Sequence, residues 1–140
     1  MIAIVRITGD VKLKKDARET LNRLRIRRKY ACVVLEENKV NEGMIHHVRN
    51  LIAYGPINQE TLAKLIEQRG HLVDKTKKTD LKKVVEEFSK GKKLKDLNIK
   101  PFFRLHPPRG GIDSKIHFGI RKGVLGNNKE KINDLILRML

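Results

Sequence analysis

Five of the seven residues from Arg23 to Lys29 are basic, and they fall where a predicted helix gives way to a predicted strand. One or two cations here would complement the partial negative charge at the end of a helix. Five are more than that role needs, and such density in a turn is typical of phosphate contacts. The candidate nucleic-acid-binding residues of this cluster are Arg23, Arg25, Arg27, Arg28 and Lys29.

A second motif, Pro107-Pro108-Arg109-Gly110-Gly111, follows Arg104 and His106. Paired prolines stiffen the backbone, and paired glycines let it approach a neighbour closely. Arg109 would then be held towards a phosphate or a base edge. An ordinary surface turn explains the same residues, and both interpretations stay open. The candidates here are Arg104, His106, Pro108, Arg109, Gly110 and Gly111.

A third motif runs from His117 to Gly123 and combines two rings with two cations. An imidazole and a phenyl ring could stack on unpaired nucleotides. Phe118 is more simply explained as a core residue, which leaves His117, Arg121 and Lys122 as the candidates.

Patterns that would indicate an enzyme are absent from the sequence. It has no P-loop, GxGxxG turn or HExxH helix. The five histidines lack partner cysteines at metal-ligand spacing, and adjacent His46 and His47 would point to different sides of a helix. No catalytic residue, cofactor or metal site is therefore predicted.

The charge balance points to a polyanionic partner. The 140 residues carry a formal net charge of +16, an excess that opposes folding by self-repulsion. Nucleic acid is the favoured partner, with an acidic membrane surface or an acidic protein as alternatives. Apolar runs are too short to span a bilayer, and Arg6 comes too early for a signal peptide. We therefore expect a cytoplasmic protein, in which the lone Cys32 fills core space rather than reacts.

The first half of the chain alternates strand and helix patterns. Strands are expected over Ile2–Ile7 and Tyr30–Leu35, and residues 52–54 either continue the second helix or begin a third strand. Apolar residues from Leu13 to Leu24 have helical spacing, and a second helix is expected after Asn41 as its cap. The order β-α-β-α-β predicts a small sheet with both helices on one face. Its other face then needs cover from the rest of the chain or from a partner.

The second half is predicted to be helical and irregular. Helices are expected near 59–69, 80–90 and 128–139. The first is capped by Asn58, the second begins at Thr79-Asp80, and the third is capped by Asn127 or Asn128. Gly70 suits the left-handed position that ends the first of them. The intervening stretch 100–126 holds three prolines and several glycines, and a long loop of this kind is more often functional than idle.

These residues resemble the L-thirty family of large-subunit ribosomal proteins in its longer archaeal form, whose eukaryotic counterpart is called L-seven. In the first half the resemblance rests on the Ile-Val-Arg-Ile strand, on Leu21-Asn22-Arg23-Leu24-Arg25 and on Glu42-Gly43-Met44-Ile45. Later it rests on Tyr54-Gly55, 65–70, Pro101-Phe102, 107–111 and Gly126-Asn127. The order and spacing of these pieces cover nearly the whole chain; the lysine-rich stretch 75–95 matches least.

The resemblance implies an α/β (α+β) fold, with a ferredoxin-like β-α-β-α-β core and a three-stranded antiparallel sheet. It divides the chain into a core of residues 1–57 and an extension of residues 58–140 packed on that core. It also implies that Gly43 and Met44, at the start of the second helix, lie close to RNA, with His47 on the same helix. A glycine in the first helical turn would leave backbone amides open to a phosphate.

The implied function is that of a structural constituent of the large ribosomal subunit, monomeric outside the ribosome, which binds 23S-type rRNA. Neighbouring ribosomal proteins and 5S rRNA are further candidate partners, and no membrane is involved. Two alternatives stay open: an RNA-processing enzyme, which would need a carboxylate or histidine cluster in a cleft, and a general nucleic-acid-binding or membrane-surface module. Equal affinity for random duplex DNA and structured RNA would favour the latter.

Overall fold

The computed structural model describes residues 1–74, 84, 85, 87, 88, 92, 94 and 96–140. The helix predicted near 80–90 falls largely outside the described residues, but Val84 and Phe88 have helical backbone and are buried. Most of the lysines of 75–95 also lie outside them. Within the described residues no helix is both long and apolar enough to cross a membrane.

The first half of the chain forms the predicted β-α-β-α-β unit. Its elements are β1 (Ile2–Arg6), α1 (Lys15–Arg23), β2 (Ala31–Leu35), α2 (Lys39–Val48) and β3 (Ile52–Pro56). Strand β1 lies in the middle and pairs antiparallel with both β2 and β3. The ferredoxin-like arrangement with three antiparallel strands is therefore confirmed as the centre of the sheet.

The sheet is larger than the sequence predicted. The later elements are α3 (Gln59–Arg69), β4 (Phe103–Arg104), β5 (Ser114–His117), β6 (Gly123–Asn127) and α4 (Lys131–Met139). Strand β4 pairs antiparallel with β2, while β6 joins β3 and β5 joins β6 in parallel. The order is β4-β2-β1-β3-β6-β5, so the stretch predicted to be a loop supplies three short strands.

Both faces of the sheet are covered, because successive strand side chains point to opposite sides. Ile4 packs with Leu21 of α1 and Ile45 of α2, so both helices lie on one face as predicted. Ala3 and Val5 pack in a second core with residues of α3 and α4. Cys32 is fully buried in that second core, and burial raises the pKa of its thiol to about 12, which agrees with a packing role.

Several predicted helix ends are wrong. Helix α2 begins at Lys39, not after Asn41, whose Nδ2 instead donates to the Glu36 carbonyl. Gly70 has φ −65° and ψ 121°, which is extended backbone. Glycine is required at this position for a steric reason, because a Cβ there would lie 2.3 Å from the Ile66 carbonyl oxygen. Helix α4 begins at Lys131, later than either predicted cap, although its predicted apolar face is buried.

Candidate nucleic-acid interface

The sheet brings several separated basic segments to one of its ends. At this end β1 and β4 finish and β2 and β3 begin, since Arg6 lies beside Ile52 and Ala31 beside Arg104. Strand β6 runs parallel to β3, so it also begins here. Helix α4 leaves the far end of β6 and returns towards this one. We call the surface formed by residues 23–29, 104–111 and 117–122 the basic end.

Arg6 anchors the loop that carries the first basic cluster. Its side chain is 1% exposed although it is charged, and such burial is stable only when the guanidinium is fully hydrogen-bonded. The five acceptors are the carbonyls of Thr8, Gly9, Ile26 and Arg27 and the carboxylate of Asp10. The Asp10 contact is 2.7 Å long, and this hydrogen bond from Arg6 is the main cause that lowers the pKa of Asp10. Arg6 thus ties the loop after β1 to the loop before β2.

The end of α1 sets the direction of the same loop. The Arg25 amide donates to the Asn22 carbonyl and the Ile26 amide to the Leu21 carbonyl, both at 3.0 Å. This pair of bonds is a Schellman motif, and it places Arg25 in the left-handed region at φ 62°. Leu21 and Ile26 meet in the core beneath it. The apolar residues therefore turn inwards while Arg23, Arg25, Arg27, Arg28 and Lys29 stay exposed.

One open cavity of about 570 Å³ gathers the first cluster together with β4. Its charged lining residues among those the structure describes are all basic. They are Arg25, Arg27, Arg28, Lys29 and Arg104. Tyr30, Pro101 and Phe102 add apolar walls. Four residues of the first motif and one of the second therefore share a single concave surface, which the sequence did not reveal.

The loop from Pro107 to Gly111 is fixed to the end of α4. The Arg109 amide donates to the Arg138 carbonyl at 2.9 Å, and Arg138 Nε donates back to the Arg109 carbonyl at 3.0 Å. Arg138 Nη2 also donates to the Gly111 carbonyl at 2.6 Å. Gly110 and Gly111 both have positive φ, near 75°, so glycine suits this turn. The Arg109 side chain is exposed on an ordered loop, but Pro108 is buried and its ring supports the loop rather than facing a partner.

We expect Arg138→Ala to loosen this loop with little effect on the rest of the fold. Removing two hydrogen bonds from a charged donor should raise the exchange rate of the Gly111 amide, which is bonded to the Pro108 carbonyl, about tenfold or more. Hydrogen exchange followed by NMR measures this directly. Arg121→Ala is the matched control, because Arg121 is exposed in another turn. Unchanged protection of Gly111 in Arg138→Ala would mean that the prolines and glycines hold the loop without Arg138.

The third motif lies at the opposite edge of the sheet from β4. Five strand spacings separate β4 from β5, roughly 24 Å. His117 Nε2 lies 2.9 Å from Oδ1 of Asn50, at hydrogen-bonding distance, so the imidazole joins β5 to the turn after α2. Phe118 is half-buried with Lys131 Nζ 5.5 Å from its ring centre. Arg121 and Lys122 are exposed at positive φ, and Lys122 lines a second cavity of about 360 Å³ with Gly111.

The α2 candidates stand apart from these cavities. Helix α2 begins at Lys39, so Gly43 and Met44 lie about halfway along it and not in its first turn. Their amides can be used by the helix itself, and the expected open amides at this point are therefore wrong. Gly43 is exposed with nothing within 4 Å of an added Cβ, which leaves room for close approach. His47 is exposed in the last turn of α2, nearer the basic end.

Sequence reasoning missed the positioning residues of the interface. Arg6 follows four apolar strand residues, and a charge that continues a buried strand is a signal that could have found it. Arg138 carries no such signal, because its role depends on hydrogen bonds to a loop distant in the chain. Among the described residues no three His, Cys, Asp or Glu side chains are placed to hold a metal ion.

The fold and the basic end define a small α/β protein whose conspicuous surface is cationic. The profile of the Ribosomal protein L30p/L7e family matches residues 2–52. The large ribosomal subunit protein uL30 of Archaeoglobus fulgidus is 43% identical, with 99% of each chain covered. The uL30 protein of Methanococcus vannielii is 41% identical, with 99% of this chain and 98% of that protein covered. The uL30 protein of Nanoarchaeum equitans is 40% identical, with 100% of this chain and 99% of that protein covered.

The chain therefore belongs to the Ribosomal protein L30p/L7e family. Its similarity to the archaeal proteins extends over nearly the whole chain, well beyond residues 2–52. The predicted family is confirmed. Membership in a family of ribosomal proteins also supports the prediction that the chain is not an enzyme.

Proposed function

We propose that this protein is a structural constituent of the large ribosomal subunit and binds large-subunit rRNA through its basic end. The observation that carries the proposal is the convergence of residues 23–29, 104–111 and 117–122 at one end of a rigid sheet. Family membership and the names of the archaeal relatives point to the same subunit. The proposed location is the ribosome in the cytoplasm, and the free protein is proposed to be a monomer.

The proposed mechanism is electrostatic clamping of folded RNA. The cavity beside β4 and the loops beside β5 are separated by roughly 24 Å, so they can contact different RNA segments. The sheet holds that separation constant, while each exposed cation neutralises a phosphate and releases a counterion. Arg109 lies on a fixed loop at the same end, where a guanidinium can bind a phosphate in bidentate fashion. 23S-type rRNA is the proposed partner, and 5S rRNA and neighbouring ribosomal proteins are further candidates.

Salt dependence tests the clamp. With four or more phosphate contacts, the plot of log association constant against log salt concentration should have a slope steeper than about −3. Filter binding of the whole chain to large-subunit rRNA fragments between low and moderate salt measures the slope. A nearly flat plot would contradict clamping by the basic end.

Random duplex DNA of matched length serves as the comparison ligand. Weaker binding of this DNA is the expected result, because a rigid set of loops fits only some phosphate arrangements. Equal affinity for both nucleic acids would favour a general nucleic-acid-binding module instead. Sedimentation with large subunits at low salt, and release at high salt, would place the protein in the ribosome.

A further inference from the structure

We infer that the cavity beside β4 receives the base of one unpaired nucleotide, while the surrounding cations hold its phosphates. The inference rests on the proposed RNA-binding function and specifies which RNA feature the site takes. A surface that recognised only duplex phosphates would need exposed cations and no concave apolar wall. This cavity has exposed cations and also a concave apolar wall. Its volume of about 570 Å³ is within the usual range for small-molecule sites.

The walls of the cavity suit a planar base. Tyr30 and Phe102 are both half-buried and both line the cavity, so part of each aromatic ring is exposed to solvent inside it. Aromatic side chains are the usual stacking partners of unpaired RNA bases. Pro101 and Leu105 complete the apolar part of the lining. A base entering here would exchange solvent for flat apolar contact.

A cation lies over each of the two rings. Lys29 Nζ lies 4.6 Å from the centre of the Tyr30 ring, and Arg104 Cζ lies 6.0 Å from the centre of the Phe102 ring. A base that stacks on either ring takes the place of the cation over that face, and the displaced side chain can then bind the phosphate of the same nucleotide. All the charged residues among the described lining residues are basic, so the site has the charge that a nucleotide requires.

The cavity is also held open by the backbone. Tyr30 has φ 63°, uncommon for an aromatic residue, and such strain persists only where surrounding contacts enforce it. Its amide donates to the Arg6 carbonyl at 2.7 Å, and its carbonyl accepts from the Leu105 amide at 3.0 Å. Both walls are thus tied to the sheet before any ligand binds, which reduces the ordering that binding requires.

The test compares three RNA hairpins that differ at one position: fully paired, with a bulged adenosine, and with an abasic bulge. The abasic hairpin keeps the bent backbone and removes only the base. We expect the wild-type chain to bind the adenosine bulge about tenfold more tightly than the abasic bulge. Phe102→Leu keeps an apolar side chain but removes one of the two aromatic faces, so it should lower this ratio about threefold, by weakening the adenosine hairpin more than the abasic one.

Phe118→Leu is the matched control, because Phe118 is also half-buried beneath a lysine but lines the other cavity. Because Phe118 belongs to the basic end, this variant is judged only by the ratio of its affinities for the adenosine and abasic bulges, which should stay about tenfold. Equal wild-type affinity for adenosine and abasic bulges, with salt-dependent binding of both, would overturn the nucleotide site and leave the proposed function standing. An equal fall of the ratio in both Leu variants would also overturn it. Failure of the wild-type chain to bind any hairpin or large-subunit rRNA fragment would overturn the proposed function itself.

Discussion

Arg6→Lys is expected to destabilise the protein by about 3 kcal/mol or more, although it conserves the charge. The guanidinium serves five acceptors at once, and a lysine ammonium has only three donors on a flexible stem. Carbonyls of the loops after β1 and before β2, among them the buried carbonyl of Ile26, would lose their partners. For a domain of this size the melting temperature should fall by about 10 °C, measured by circular dichroism or calorimetry.

Arg23→Lys is the control for this substitution. Arg23 is exposed and pairs with Glu19 four residues earlier at 2.6 Å, an arrangement that lysine can also make. Its melting temperature should change by no more than about 2 °C. If the melting temperature of Arg6→Lys also changed by no more than about 2 °C, the hydrogen bonds of Arg6 would not be what holds the two loops together.

The Asp10 carboxylate makes the stability of the protein depend on pH, in the direction set by its lowered pKa. Its hydrogen bond from Arg6 lowers the pKa of Asp10 in the folded state. The stabilisation it provides is therefore present above the ordinary pKa of an aspartate and is lost as the pH falls through the folded value. Asp10 is exposed, so the effect is small beside that of Arg6.

Replacing Arg27 and Arg28 together with glutamine is expected to weaken rRNA association about 100-fold or more at 0.1 M salt. Both side chains are exposed and line the cavity beside β4, so each is free to bind a phosphate. The slope of the salt plot should also become shallower by about 1.4 to 1.8, the amount for two lost contacts. Filter binding of both proteins across a salt series measures affinity and slope together.

A second double variant with the same change of charge separates local contact from net charge. Lys39 begins α2, and Lys129 lies beside Gly55, so both are at the far end of the sheet from the basic end. Lys39→Gln with Lys129→Gln should alter the affinity only a few-fold through long-range charge. Comparable losses in the two double variants would mean that net charge, and not the basic end, determines binding.

Local patterns predicted the main elements of the fold well. Leu21, Ile45 and Ile136 lie on helical stripes that the sequence shows directly, whereas β1 was marked by a continuous apolar run because both of its faces are buried. Helix ends were predicted less well. Asn41 and Gly70 have the residue types of caps, yet a hydrogen bond from the Asn41 side chain to the Glu36 carbonyl and the close packing of Gly70 against Ile66 decide their positions.

The candidate site was predicted as three unrelated motifs. Strands β4, β5 and β6 are short and lie in a stretch rich in proline and glycine, so no local period marked them. Their partners are strands distant in the chain. Without those pairings nothing in the sequence shows that Arg104 lies beside Ala31, or that Gly111 and Lys122 line one cavity.

The sequence by itself determined the charge, the basic clusters, the alternating elements and, through its resemblance, the family. Only the tertiary structure decided that the clusters share one end of the sheet, that Arg6 and Arg138 hold their loops, and that Pro108 and His117 are engaged within the protein. The reason is physical. Composition and periodicity are properties of neighbouring residues, whereas a binding surface depends on strand register and hydrogen bonds between distant segments, such as Ala31 and Arg104, which are 73 residues apart in the chain.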